Sequence, residues 1–212
     1  EIVKLAGATP VSIPTPAAAG FKVSARQLEA AITPRTRAMI LNSPANPTGA
    51  VYTRTELDAL AEVVLAHDLV VVADEIYEKL IYNGQAHVSF ASLDPRLENQ
   101  TLTCNGFSKA YAATGWRLGY VAGPKPVIQA AKAIQSHSTS GANTFAQYGA
   151  LTALTGPQEA IAEMRATFQT RRDLIVSEVR AIPGVECIEP QGAFYIFPDI
   201  SATGLDSLTF CE

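Results

Sequence analysis

Charge is scarce in this 212-residue chain: Asp, Glu, Lys and Arg make up 17% of it, against 48% hydrophobic residues. That ratio excludes a disordered, solvating segment and suits a chain that buries a sizeable core. Positive charge is scarcer still, with 16 Lys and Arg against 20 Asp and Glu and a net charge of −4. Without a basic cluster, neither nucleic acid nor an anionic membrane is an expected partner. No apolar run reaches the ~18 residues that a membrane-spanning helix needs. Cysteine is limited to Cys104, Cys187 and Cys211, an odd number at wide spacing. This argues against a disulfide framework and for a reducing, cytoplasmic setting. Internal repeats and low-complexity linkers are missing too. The chain opens on Glu1 rather than Met and closes on Thr209-Phe210-Cys211-Glu212, which reads as the opening of a helix. An internal piece of a longer protein is therefore expected.

What is present is an alternation of short β-rich runs with helical ones, the pattern of an α/β domain around a mainly parallel sheet. Arg37 to Asn42 reads as a strand entering a Pro/Gly-rich loop. Thr53-x-x-Glu56 is a capping box, each side chain satisfying a free amide at the other's position. It opens a helix whose apolar residues Leu57, Leu60, Ala61, Val64 and Leu65 keep the 3.6-residue period. Leu69 to Ala73 is a continuous apolar run, expected as a strand covered on both faces, and it ends at Asp74-Glu75. Thr101 to Cys104 and Gly119 to Gly123 read as two more strands, and Lys125 to about Ser136 as a helix. Pro157 suits the first turn of a long helix reaching about Ile182, stopped by Pro183-Gly184. Val185 to Ile188 and Ala193 to Phe197 then read as two strands of a new unit. From Ala133 to Gln158, 26 residues pass without a formal charge. Such a stretch suits either a buried core helix or an interface or active-site wall.

In an open α/β sheet, ligands bind beyond the carboxyl ends of the strands, so polar groups there are the candidates. Asn46-Pro47-Thr48-Gly49 follows the first strand, and alone it reads first as a turn. Asp74-Glu75-Ile76-Tyr77 closes the apolar run. An acid there either caps a helix or meets a cation or donor, and the two readings weigh equally. Gly106-Phe107-Ser108-Lys109, followed by Thr114-Gly115-Trp116-Arg117, sets Lys and Arg eight residues apart among small, aromatic and hydroxyl side chains. Such a lysine is either an ordinary loop residue or a desolvated, nucleophilic amine. The spacing excludes a phosphate-binding P-loop. A carboxylate, a phenol, an amine, a guanidinium and a hydroxyl converging at strand ends suit an aromatic phosphate cofactor. Pyridoxal phosphate is one, held by a lysine and by an acid on its ring nitrogen.

Order and spacing add to this, with 28 residues from Asn46 to Asp74 and 35 from Asp74 to Lys109. With Asn42 to Gly49, Asp74 to Tyr77, Ser108-Lys109 and Thr114 to Gly119 in that register, the chain resembles the class I/II aminotransferases of pyridoxal-phosphate fold type I. The likeness is to their aspartate aminotransferase-like branch and covers essentially the whole length. It implies a mainly parallel central sheet with helices on both faces, plus the start of a smaller α+β domain. The implied division is a cofactor-binding large domain over 1–165, a linking helix over 166–182 and the beginning of a small domain over 183–212. By the same resemblance Lys109 would form the Schiff base and later move a proton as general base and acid. Asp74 would pair with the ring nitrogen, while Tyr77 and Asn46 would hydrogen-bond the ring's phenolic oxygen. Arg117 and Ser108 would hold the phosphate. Lys109, Asp74 and Tyr77 are thus the expected catalytic residues, and no metal is expected.

One departure is visible: Gly106 stands where the family often has a hydroxyl residue, and its backbone amide is expected to substitute on the phosphate. Gln191 to Tyr195 resembles the family's lead-in to the small domain, where substrate side chains are lined. The resemblance also implies a homodimer, with Ala133 to Gln158 near the subunit interface. The implied activity moves an amino group between an amino acid, aspartate or an aromatic one, and a 2-oxo acid. Two other functions share parts of the pattern: a carbon–sulfur β-lyase of the same fold, and the effector domain of an aminotransferase-like transcription regulator. No helix-turn-helix or basic region occurs in these residues. The family's ring-stacking aromatic and carboxylate-gripping arginine are not found between Glu1 and Glu212, so this piece alone is expected to be inactive.

Overall fold

In the computed structural model, which describes residues 1–212, four strands line up in chain order. β1 (Ala38–Asn42), β2 (Val70–Asp74) and β3 (Thr101–Gly106) run parallel, and β4 (Gly119–Ala122) returns antiparallel to β3. The register aligns Asn42 with Asp74 and Asp74 with Cys104, so β1 and β2 end level and β3 runs two residues beyond them. That common end is where the candidate residues collect.

A short α1 (Ile2–Leu5) precedes α2 (Ala25–Ala31), and α3 (Arg54–Ala66) connects β1 to β2. Both α2 and α3 start at reciprocal capping boxes. In α3 the Thr53 N–H donates to Glu56 Oε2 at 2.7 Å and the Glu56 N–H to Thr53 Oγ1 at 3.3 Å. In α2, Ser24 and Gln27 do the same. The apolar stripe Leu57, Leu60, Ala61 and Val64 is buried as its period requires. It packs with Leu28 of α2 onto Leu41, Val71 and Ala73 of the sheet, and Phe90 and Leu97 close the cluster. Val71 and Ala73 point into this layer, whereas Val70 is exposed and Val72 only half-buried. The expectation of a strand covered on both faces therefore holds for one face, because α2 and α3 lie on that side and the other stays partly open at the Val70 end.

The second half of the chain is mostly helical: α4 (Lys125–Ser138), α5 (Thr144–Thr155) and α6 (Glu159–Arg180). The uncharged stretch spans the end of α4 and all of α5, and only Ala146 of α5 is buried. Tyr148 is 70% and Leu151 57% exposed. Within these 212 residues the stretch is not a core helix; its apolar side chains form an outer face. α5 instead rests edge-on against the loop before β4, where a Cβ on Gly149 would lie 2.9 Å from the Trp116 ring.

The long helix begins two residues after Pro157, and Gly184 turns the chain beyond it with φ +79°. A second, two-stranded sheet pairs β5 (Glu186–Cys187) with β6 (Pro198–Asp199), and α7 (Ser207–Cys211) follows. Residues 193–197, expected as a strand, are irregular. Their backbone is used elsewhere: the Ala193 N–H donates to Leu80 O, and Gln191 O accepts from the Tyr82 N–H, both at 2.9 Å. The Gln191 and Gly192 amides converge on Gly49 O at 2.9 Å each. The segment is thus stitched to the loops after β1 and β2, and the partner of β5 falls further along at Pro198. Gly49, at φ +68°, is required here, since a Cβ would meet Pro190 and, at 2.8 Å, the Gly192 carbonyl oxygen.

Candidate active site

Each parallel strand delivers one group to the common edge. Asp74, the last residue of β2, is half-buried, and its Oδ1 accepts only a long bond, 3.3 Å, from the Ile76 N–H. Level with it in the register, Asn42 braces the same edge: its Nδ2 donates to Asp74 O at 3.0 Å and its Oδ1 accepts from the Asn46 N–H at 2.8 Å. Asn46 itself is exposed. Tyr77 turns inward from the loop after β2 and is 3% exposed.

Lys109 lies just beyond β3, partly buried, with its Nζ 5.6 Å from the centre of the Tyr77 ring and 5.0 Å from that of Phe194. Phe194 and Tyr195 arrive on the stitched segment. Tyr77 meets both edge-on, and its hydroxyl lies 2.7 Å from that of Tyr195. The Tyr77 phenol is pushed well above the usual range, first by burial and then by Tyr195 and Asp74, with the Asn46 amide opposing the rise. Asp74 and Glu75 in turn add to burial in raising the Cys104 thiol.

Ser108 and Arg117 each lie one residue beyond the Phe107–Leu118 bond at the β3–β4 end. Gly106 pairs with Gly119, and the Phe107 N–H donates to Leu118 O at 3.2 Å, which runs the two chains alongside up to these residues. Arg117 holds a left-handed φ of +50° and is exposed; its Nη1 donates to Thr114 O at 2.9 Å, and the rest of the fork is open to a ligand. The departure at Gly106 has a packing cause. A Cβ there would lie 3.0 Å from both Gly119 Cα and Leu118 O, so a hydroxyl side chain would have to push the close antiparallel crossing apart by a few tenths of an ångström. Its amide is not the expected substitute either, because it donates to Asn105 Oδ1 at 2.8 Å.

Two arrangements escaped sequence reasoning. Glu75 turns away from Asp74 into the protein, 4% exposed, where its oxygens accept from Ser89 Oγ at 2.9 Å and the Phe90 N–H at 3.0 Å and meet His87 Nε2 at 2.9 Å. Glu78 comes near Glu75 and His87, but Glu75 is already saturated by these contacts. No sequence spacing announces this, since the partners lie in an irregular loop. Arg172 of α6 is 6% exposed; it donates to Pro190 O at 2.8 Å and Asn83 Oδ1 at 3.0 Å and lies 5.0 Å from the Tyr82 ring centre. Here a signal existed: Arg172 falls on the four-residue line of Met164, Phe168 and Val176, the inward face of α6.

The donor set fits pyridoxal phosphate. It offers an amine among aromatic rings, an unsaturated carboxylate, an inward phenol, and a guanidinium and a serine at the edge of a sheet. The comparisons decide the family. The model for aminotransferases of class I and II matches residues 1–211. The chain belongs to that family. Among its relatives, the aspartate aminotransferase of Geobacillus stearothermophilus is 52% identical over 199 residues, covering 94% of this chain and 51% of the relative. The aspartate/prephenate aminotransferase of Cereibacter sphaeroides is 54% identical over 202 residues, covering 95% and 50%. The crystal structure of the aspartate aminotransferase from Rhizobium meliloti superposes with a TM-score of 0.92 at 46% identity, over 95% of this chain and 50% of that one. An aromatic aminotransferase from Pyrococcus horikoshii gives 0.94 at 44% identity, over 98% and 56%. The chain thus has the α/β architecture of fold type I and spans about half the length of the curated relatives it matches. No helix in it is long and apolar enough to cross a membrane.

Proposed function

We propose that the protein carrying this chain is a pyridoxal-phosphate-dependent aminotransferase that moves an amino group between an amino acid and a 2-oxo acid. The observation that carries the reading is Lys109 Nζ, poised 5.6 Å from the Tyr77 ring and 5.0 Å from Phe194 at the strand edge that also presents Asp74. Aspartate and aromatic amino acids are the proposed substrates, as the names of the relatives suggest. When bound, the cofactor supplies an electron sink for bonds broken at the substrate's α-carbon.

The chain's own residues do the rest. The Lys109 amine would hold the cofactor at its carbonyl carbon and would take and return the substrate's α-proton. Asp74 holds a proton on the ring nitrogen by charge pairing. Tyr77 and Asn46 would hydrogen-bond the ring's phenolic oxygen. Arg117 and the Ser108 hydroxyl hold the phosphate, the guanidinium through its open fork. Phe194 lies over the amine and restricts water at it. The division into a cofactor-binding unit over 1–165, a linking helix and the start of a smaller unit over 183–212 belongs to this reading, supported by the separate β5–β6 sheet. So does a homodimer, supported by the apolar outer face of α5.

Borohydride reduction of the full protein loaded with pyridoxal phosphate tests the core of it. Mass spectrometry is expected to find the reduced cofactor on the peptide carrying Lys109, and Lys109→Ala is expected to lose the label and transaminase turnover together. A label on another lysine would refute the assignment. Keto-acid product without ammonia or pyruvate release separates transamination from β-elimination.

A further inference from the structure

Tyr77 has one proton to give and, as a phenol, can accept as well. Its hydroxyl lies 2.7 Å from that of Tyr195, so one of the two must donate to the other. If Tyr77 donates, its proton is spent within the protein. If Tyr195 donates, the Tyr77 proton is free to point at a ligand, and the incoming bond polarises it into a stronger donor. Burial is what gives the choice weight, because Tyr77 is 3% exposed and water cannot readily substitute for the lost partner.

Tyr195 sits 118 residues along the chain and belongs to no strand or helix. It is held by what surrounds it. The Ala193 N–H donates to Leu80 O, the Tyr82 hydroxyl donates to Ala193 O, and Arg172 grips Pro190 O and Asn83 from the inner face of α6. Tyr195 packs on the cluster of Tyr77, Leu80 and Ala193 together with Met164 and Phe168 of α6. The pair therefore joins the β2 loop to α6 and the 189–195 segment through one hydrogen bond. The titratable groups facing Tyr77 are Tyr195, Asp74 and Lys109, with the neutral Asn46 amide beside them.

We propose that Tyr195 is a positioning residue for the reaction: with the cofactor bound, its hydroxyl turns to donate to Tyr77 and so aims and strengthens the hydrogen bond that Tyr77 gives the cofactor's phenolic oxygen. This rests on the reading of Tyr77 as a cofactor contact. A donor to that oxygen stabilises its ionised form and lowers the pH at which the bound cofactor changes colour. Loss of the Tyr195 hydroxyl leaves Tyr77 in place but weakens what it gives.

The test is a pH titration of the visible absorbance of the full protein loaded with pyridoxal phosphate, as wild type, Tyr195→Phe, Tyr77→Phe and the double variant. Phe keeps both rings, and with them the aromatic packing. The midpoint is expected to rise by about half a pH unit in Tyr195→Phe and further in Tyr77→Phe, as expected for one indirect and one direct hydrogen bond. In the double variant it is expected to stay where Tyr77→Phe alone puts it, since Tyr195 acts only through Tyr77. An unmoved midpoint in Tyr195→Phe, or shifts that add in the double variant, would overturn the role of Tyr195 and leave the cofactor reading standing. An absent visible band in the wild type, or an unmoved midpoint in Tyr77→Phe, would overturn both.

Discussion

Asp74 and Glu75 are neighbours in the chain with opposite environments. Asp74 keeps its carboxylate nearly free at the sheet edge, while Glu75 is buried and met by His87, Ser89 and the Phe90 amide. Strand alternation accounts for the split, since successive side chains leave a strand end in opposite directions. Glu75 thereby ties the loop after β2 back to the strand and fixes the turn that aims Asp74. Glu75→Ala strands three polar groups in a dry site, and urea denaturation is expected to show a loss of about 3 kcal/mol. Glu75→Gln, which keeps size and one acceptor oxygen, is expected to lose less. The acid pair itself was visible in the sequence, and the family resemblance alone singled out Asp74 from Glu75. The burial partners of Glu75 come from a loop with no periodic pattern, so nothing local could reveal them.

At the scale of elements, what was legible is what short-range chemistry dictates. The Thr53–Glu56 capping box, the apolar stripe of α3 and the strand β2 all follow from residues within a few positions of one another. Thr53→Ala removes one half of the box and is expected to lower stability by about 1 kcal/mol in thermal or urea melts. Glu56 adds an acid-sensitive contribution. Burial tends to raise its carboxyl, but Lys22 Nζ at 2.5 Å and the Thr53 N–H and hydroxyl outweigh it, so the folded value lies below the ordinary 4.5. The unfolded chain then binds more protons at low pH. The contribution is present above pH 4.5 and is lost as pH falls through the depressed value, and Glu56→Gln is expected to flatten this part of the stability–pH curve. The strand expected at Ala193 to Phe197 failed for the complementary reason. Its apolar run satisfies a β pattern, but the Ala193 N–H bonds Leu80 O, and the preceding Gln191 and Gly192 are tied to Tyr82 and Gly49, all more than a hundred residues away. No window of sequence contains that competition.

Over the whole molecule, three inward tyrosines make the fold sensitive to alkali. Burial raises the phenols of Tyr52, Tyr77 and Tyr82, the last pushed up to about 12 despite the nearby Arg172. Between the ordinary value of 10.0 and that figure, the unfolded chain releases protons the folded one keeps. The tyrosine contribution is therefore expected to be constant below pH 10 and to fall as pH rises through this window, measured by urea midpoints in stepped buffers. The outer face of α5 makes a second prediction at this scale. Tyr148 and Leu151 are exposed at 70% and 57%, and a charge placed there by Tyr148→Asp is expected to convert the proposed dimer of the full protein to monomer in sedimentation analysis. A lack of charge could be read from the sequence, but whether it meant core or surface could not, because burial depends on what lies opposite.

The strand order has a consequence for how the site comes into being. Because β1, β2, β3 and β4 sit side by side in the order in which they occur, each can pair with a neighbour already made as the chain lengthens. The Tyr77–Tyr195 contact cannot, for it closes a loop of 118 residues. Strand end, lysine and carboxylate are thus expected early in refolding, and the aromatic wall late. Stopped-flow refolding should show far-ultraviolet circular dichroism returning before the absorbance change that reports the two phenols meeting. The cradle is built first, and its lid is the last thing to arrive.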